Sequence, residues 1–588
     1  MKLHRPLLTA AGIIAACALS NPVHAINIDQ TLMGGWTENS PNPSLTRRGI
    51  DLQYFKIGAE LGNVIAVGFL YDTAGNQVWF TGNDPQVRPG DITLDFAIST
   101  ITGGLPIGAE AGSPTANVIG TLSMEINDCN SATVTLDADS LGVNDTFEMS
   151  RGEAIGITVG PDRCAYQKPF NGCPAFSDGP GVAPRTCIVS GTLQGNVTFT
   201  NNATWVLNGP VFIGSDVDEG GTPATLTVEP GTRIIGAAGN DFLGIQRGSK
   251  IIADGTPFAP IVMSGPIASD SPNADAGTWG GLVINGRAPI NVCDSGVCTD
   301  ESEGGAGTFG GNDPNDSSGI LRYVRVQFAG FRINDEDELN GIALQGVGRN
   351  TVLDYIQVHE NADDGIEFFG GTANAKHVLL TDIQDDSLDW THGWTGNVQY
   401  VVVRQNQEAN TETERGIEAD NFEDNNDALP RSQPKIANVT FVGNSNALLD
   451  TTGFLFRRGT GVNMTNAIVT GFDTCLDLDS GATFTAAGTP NQLTGTLTLQ
   501  NTILNCPNNI DVEASDPFSS IEFFTSQDGN GFADPQLNGI FPPVGAGYTS
   551  GFPLDRNIFP DFFDGVDYIG AFSNEETAWT HGWTEFLE

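Results

Sequence analysis

Gly341-Ile342-Ala343-Leu344, Gly365-Ile366-Glu367-Phe368, Ser387-Leu388-Asp389-Trp390 and Gly416-Ile417-Glu418-Ala419 are versions of one short phrase. Gly453-Phe454-Leu455-Phe456, Cys475-Leu476-Asp477-Leu478 and Asn509-Ile510-Asp511-Val512 continue it. An apolar marker often follows a small residue, the next position is usually acidic, and a second apolar residue closes the phrase. That period-two alternation belongs to a strand buried on one face. The markers fall at 342, 366, 388, 417, 454, 476 and 510, in steps of 24, 22, 29, 37, 22 and 34 residues. The short steps suit one turn of a right-handed β-helix, and the long ones suit the same turn with a loop inserted.

A second ladder keeps the same register: Tyr355 to Val358, Val378 to Leu380, Tyr400 to Val403 and Ala467 to Val469 each precede a marker. No amphipathic helices alternate with these strands, which argues against a doubly wound α/β fold. The chain is therefore expected to be all-β, a right-handed parallel β-helix (solenoid) over 191–515 with a C-terminal cap over 516–588. Ahead of it, residues 26–165 alternate in short runs. Val64 to Tyr71 and Gln77 to Phe80 flank the turn Asp72 to Asn76, a hairpin pattern that predicts a small antiparallel β domain. Between the two, residues 166–190 carry Pro169, Gly172, Pro174, Gly179, Pro180, Gly181 and Pro184, the punctuation of a linker.

The first residues have the form of an export signal: Lys2 and Arg5, an apolar run from Leu7 to Leu19, and Val23-His24-Ala25 before the cut, giving a signal peptide over 1–25. Ile14-Ala15-Ala16-Cys17 also resembles a lipobox, which would instead leave Cys17 acylated as an anchor. The location expected is extracellular or the outer-membrane surface. No later stretch approaches the ~20 apolar residues of a membrane helix. Formal charge is −45, and loss of Lys2 and Arg5 makes the mature chain two charges more negative. Such a surface repels phosphate backbones and excludes nucleic acid as a partner, while it favours cations; adaptation to salt would explain the same charge.

Nine cysteines less Cys17 leave eight in an exported chain, which points to disulfides rather than a metal cluster. Cys293 with Cys298 brackets a short loop, and Cys173 with Cys187 flanks the Pro/Gly-rich segment. Cys129 with Cys164 follows, then Cys475 with Cys506.

Two resemblances add to this. Gly34-Gly35-Trp36, Tyr71-Asp72 with Gly75-Asn76-Gln77-Val78-Trp79, and Asp128-Cys129-Asn130 resemble a small all-β domain of exported bacterial proteins, over roughly 30–150; it carries no activity across. The stretches 277–285, 340–348, 363–371 and 567–572 resemble a group of exported bacterial β-helix proteins, mostly uncharacterised, over about 230–588. That second likeness implies the fold and assigns no substrate.

Stacked coils bring equivalent positions to strand spacing, ~4.8 Å. Asp363-Asp364 and Asp385-Asp386 stand one coil apart, and Glu367, Asp389 and Glu418 form an outward column beside them. Carboxylates ~5 Å apart repel by about 3 kcal/mol at an effective dielectric near 20. Calcium, which takes six to eight oxygen ligands, would relieve all seven; the plain alternative is a set of turn acids facing water. The insert Glu418 to Asp427 and the loop Gln527 to Gly531 are further candidate oxygen sources.

Catalysis finds less support. Polygalacturonase-type enzymes carry patches of which this chain offers only the Asp-Asp pairs and His392-Gly393, and pectate-lyase-like sites need calcium plus an arginine base, for which Arg415, Arg457 or Arg458 would serve. His359 and His377 are expected to be packing residues. The repeat of Trp390-Thr-His-Gly-Trp-Thr395 as Trp579-Thr-His-Gly-Trp-Thr584 suggests closure of a core rather than sugar stacking. The sequence thus points to a secreted or cell-surface, calcium-stabilised protein that binds a polysaccharide or cell-surface polymer without catalysis. The alternative is a polysaccharide lyase or glycoside hydrolase of the pectin-lyase-like type, acting around Asp364, Asp386 and Arg415.

Overall fold

A computed structural model describes residues 25–26, 34–38, 49–58, 61–71, 77–87, 93–102, 115–128, 131–151, 166–167, 172–177 and 186–585, apart from 258, 266–275, 294–297 and 335–336. Residues 1–24 of the expected signal peptide, with Cys17, and Cys129 and Cys164 lie outside these residues.

The marker residues stack as the spacing requires. Ile342 pairs with Ile366, Ile366 with Leu388, Leu388 with Ile417, Ile417 with Phe454 and Phe454 with Leu476, all in parallel register. Each is at most 2% exposed, so the row points inward. The small residue before the marker is dictated by the coil above. A Cβ on Gly365 would sit 2.6 Å from the Ser387 carbonyl oxygen, and one on Gly416 would sit 2.5 Å from that of Gly453. The last phrase departs from the pattern. Ile510 enters the core, but Pro507 has no N–H to give the ladder, and the backbone there keeps only a bridge from Thr474 to Asn508 and the bond from Asp511 N–H to Leu476 O.

Around this marker sheet the chain closes a right-handed parallel β-helix of 23 strands, running from Thr186–Leu193 to Gly531–Phe532. It has three faces where the sequence showed two ladders. Strands such as Val352–His359, Asn374–Thr381 and Asn397–Arg404 bend in the middle and supply both remaining faces. The bend falls at Tyr323, Tyr355, His377, Tyr400, Asn438, Asn466 and Asn501, each at φ between 48° and 65°. Asn tolerates that left-handed conformation, whereas bulky rings rarely adopt it. Here the rings stack on one another at 4.4, 4.1 and 4.8 Å from Tyr323 to Tyr400, and that stacking offsets the strain.

The runs Val378 to Leu380 and Tyr400 to Val403 are apolar without alternation because both of their faces are covered. Leu380 and Val403 point into the helix core; Leu379 and Val402 point outward under Ile540, Ala571, Phe572 and Ala578 of the C-terminal segment. Ahead of the β-helix, eight antiparallel strands from Gly34–Glu38 to Val143–Arg151 form a closed barrel in which first pairs with last. The predicted hairpin is there, Leu61–Tyr71 against Gln77–Val87. Disulfides join Cys173 to Cys187, Cys293 to Cys298 and Cys475 to Cys506. Among the described residues, no helix is long and apolar enough to cross a membrane.

Candidate functional site

The acidic ladder assembles where the alternation places it. With Ile366 and Phe368 facing inward, Glu367 must face outward; it pairs with Asp389, and Asp389 with Glu418. The turn before each marker adds Asp363, Asp364, Asp385 and Asp386, and Asp364 Oδ1 accepts from the Asp386 N–H at 3.1 Å. Carboxylate oxygens fall within 4.8 Å of one another in four groups: Asp364, Glu367 and Asp389; Asp364, Asp385 and Asp386; Asp386, Asp389 and Glu418; and Glu338, Asp363 and Asp385. All seven predicted acids therefore lie together.

Four of the seven are buried, while Asp363 and Asp389 are half-buried and the Asp385 side chain is 40% exposed. Asp364, Glu367, Asp386 and Glu418 are 4–9% exposed. Burial first, then the neighbouring carboxylates, pushes Asp363, Asp364, Glu367, Asp386 and Asp389 well above the usual carboxylate range, and lifts Asp385 to about 6. Glu418 is raised as well, burial outweighing Arg457 and Arg415. Asp389 Oδ1 is buried without a hydrogen-bond partner. Asn340, 1% exposed, donates Nδ2 to Glu367 Oε2 at 2.7 Å and leaves its own Oδ1 unpartnered. A compact set of hard oxygen donors with two buried oxygens unsatisfied fits calcium.

Arg415 lies 2.9 Å from Glu414, 3.3 Å from Glu418, 3.5 Å from Asp386 and 3.9 Å from Asp385. Burial works to lower its pKa, but Asp386, Glu418, Glu414 and Asp385 outweigh burial and hold it above the ordinary value, which disfavours a role as base. Arg457 binds Glu418 and, at 2.9 Å, Asp420; Arg458 binds Asp420 at 2.6 Å. Glu338 and Asn340 escaped sequence reasoning as parts of this site, whereas the arginines, read there as candidate bases, stand in the structure as partners of its acids. Glu338 had a signal, since it belongs to an acidic run before the Ile342 marker, one coil ahead of Asp363-Asp364.

The other candidates lie elsewhere. In the insert, Asp420 is taken by the arginines, and Asn421 builds the loop by accepting from Ser432 N–H and donating to the Ala428 carbonyl. Gln527 and Asn530 close the last coil, accepting from Leu499 N–H and Thr502 N–H. His359 is buried, which pushes its pKa down to about 3, and bonds Thr381 Oγ1 at 2.8 Å. His377 is a rung of the ring stack, tied to Asp354 at 2.7 Å. Trp390 and Trp394 are wholly buried, Trp394 stacked on Phe368, and Trp583 is 2% exposed; Trp579, part-exposed, is stacked on Phe572, so both copies of the repeat are built into packing.

A family model described as a pectate-lyase like beta helix domain matches residues 191–584. Comparison with curated proteins finds no match. Among solved structures, the chain is similar to the Dettilon tailspike protein at 12% identity, over 57% of this chain and 63% of that one, with a TM-score of 0.17.

Proposed function

The chain belongs to the family of pectate-lyase-like β-helix domains, and from that premise we propose that it is an extracellular or cell-surface polysaccharide-binding protein whose central coils are held by calcium rather than used for catalysis. The observation that carries this reading is the burial of the acidic ladder. Asp364, Glu367, Asp386 and Glu418 lie at most 9% exposed, so a cation among them would be enclosed by protein oxygens rather than presented to a substrate. The chain's own residues supply a positioning role: the acids bind the cation, Asn340 orients Glu367, and Arg415 and Arg457 neutralise what charge remains on Glu418.

A polymer would lie along the first halves of the bent strands, ahead of the corner at Tyr355, His377 and Tyr400. There the half-buried Asn374, Asn397, Lys435 and Thr498 lie in line coil by coil, with Asn397 N–H and Nδ2 both donating to Asn374 Oδ1; Asn463, between Lys435 and Thr498, is buried and holds the row by donating to Gly495 O and Thr498 Oγ1. Amides and hydroxyls repeating at ~4.8 Å suit the hydroxyls of successive sugar rings, and on so acidic a protein they favour a neutral glycan. The test is binding to a panel of neutral and acidic glycans, followed by product analysis. Retention of a neutral glycan without products, weakened at least tenfold by Asn397→Ala with Lys435→Ala, is expected. New reducing ends or unsaturated products that vanish in Asp386→Ala would replace this reading with the lyase or hydrolase.

A further inference from the structure

The step of 29 residues from Leu388 to Ile417 exceeds the 22 before it because an insert, 405–414, leaves the bent strand after Arg404. That insert is tied down on both sides. Asn444 Nδ2 donates to the carbonyls of Asn406 and Glu408, both at 2.7 Å. Asn410 N–H donates to Asn446 O and Leu448 N–H to Thr411 O, both at 2.9 Å, and Thr413 Oγ1 donates to Ile383 O at 2.8 Å. Held in this way, the insert walls a cavity of about 270 Å³ whose floor comes from the two coils before it. A wall fixed before a ligand arrives costs little ordering when one binds.

The floor is Glu360 and Asp382. Each directly follows one member of the pair His359 and Thr381, so one stands over the other at coil spacing, ~4.8 Å. The Asp382 side chain is 18% exposed, and its Oδ1 is buried without a hydrogen-bond partner. Burial lifts its pKa to about 6, with Arg404 offsetting part of that and Glu408 adding to it. His359 lies 4.0 Å from Asp382 and 3.7 Å from Glu360, yet burial keeps its ring neutral, so it balances neither charge. Glu412 adds a third carboxylate from the wall, and none of the lining residues is Lys or Arg. Beside the acids stand the amides of Gln384, Asn406 and Asn410 and the Thr411 hydroxyl, while Leu448, 59% exposed, gives the edge an apolar plate. A bare divalent ion draws its oxygens to about 2.3–2.6 Å and would leave most of this volume empty. A neutral sugar would use the amides and leave the carboxylates uncompensated; an acidic one would be repelled. We infer that the cavity binds an amino sugar carrying a free ammonium. The ammonium would sit against Asp382, Glu360 and Glu412, the ring hydroxyls on the amides and Thr411, and the apolar ring face on Leu448. The cavity shares no residue with the calcium ladder or with the row from Asn374 to Thr498, so the inference stands apart from the function proposed for those.

Calorimetric titration of the full-length protein in calcium-containing buffer tests this with four probes: glucosamine, N-acetylglucosamine, glucose and ethanolamine. Loss of a charge-assisted hydrogen bond costs roughly tenfold in affinity, so glucosamine should bind at least that much tighter than the two uncharged sugars. Ethanolamine, which keeps the ammonium without the ring, should also bind at least roughly tenfold more weakly than glucosamine. Asp382→Asn with Glu412→Gln keeps the shape of the lining and should erase the preference for glucosamine. Leu448→Ala should weaken all three sugars alike and leave the preference in place. Because the four probes are compared on the wild type, the answer does not depend on either variant folding. Absence of glucosamine binding, equal binding of the three sugars, ethanolamine matching glucosamine, or a preference that survives in the double variant would each overturn the assignment.

Discussion

Asp389→Asn should stabilise the protein in chelator and destabilise it in calcium. Asp389 belongs to two of the carboxylate groups, with Asp364 and Glu367 on one side and Asp386 and Glu418 on the other, at separations within 4.8 Å. At an effective dielectric near 20, a pair of unit charges at that distance repels by about 3.5 kcal/mol. The metal-free protein relieves part of this by keeping protons on the ladder, which is what the raised pKa values express. Removing one charge without changing shape should therefore recover on the order of 2–3 kcal/mol when calcium is stripped. With calcium at about a hundred times its dissociation constant, the wild type gains about 2.7 kcal/mol by mass action, and the variant should forfeit most of that. The sign with pH follows from the same groups. Because their folded pKa values are raised, the metal-free wild type holds more protons than its unfolded chain. This stability is full below the ordinary carboxylate range and is lost as pH rises through the folded values. Thermal unfolding in mildly alkaline buffer, with calcium or with chelator at equal ionic strength, measures both. If wild type and Asp389→Asn keep the same order of Tm in the two buffers, the ladder does not hold calcium.

Three further outcomes follow from the packing. Gly416→Val would drive a Cβ into the Gly453 carbonyl at 2.5 Å, and urea unfolding should register a loss of at least ~3 kcal/mol; an unchanged midpoint would mean the coils are not in the register described. Replacing Cys475 and Cys506 by Ala opens a bridge with a sequence separation of 31, and the chain-entropy relation gives a loss of about 3.5 kcal/mol, checked by the same melt and by peptide mapping of the unreduced protein. His359 has its pKa pushed down to about 3 by burial, so only the unfolded chain takes up a proton as pH falls from 6.5 to that value, and up to about 5 kcal/mol is lost across this window. His359→Gln in saturating calcium should flatten the decline between those pH values, and an identical slope would show that another group causes it.

The chain's own text determined the solenoid. Each marker phrase is a strand that alternates, and a one-coil step sets residue over residue, so the inward row from Ile342 to Leu476 and the stacking of Glu367, Asp389 and Glu418 follow from spacing alone. The bridge between Cys293 and Cys298 was legible for the same reason, being local. What the tertiary structure decided is everything that depends on loops and on the second layer. Loop insertions vary in length and erase spacing, so nothing in the sequence brings Arg457 onto Glu418 across a step of 37 residues, or sets Glu338 beside Asp363 and Asp385. Whether the acids would be buried or solvated was equally undecided, because period-two alternation marks an outward face without saying what covers it. Leu379 and Val402 make the point most plainly: they are outward by alternation and apolar by composition, and only the fold shows that a segment from beyond residue 533, far away in the chain, lies over them.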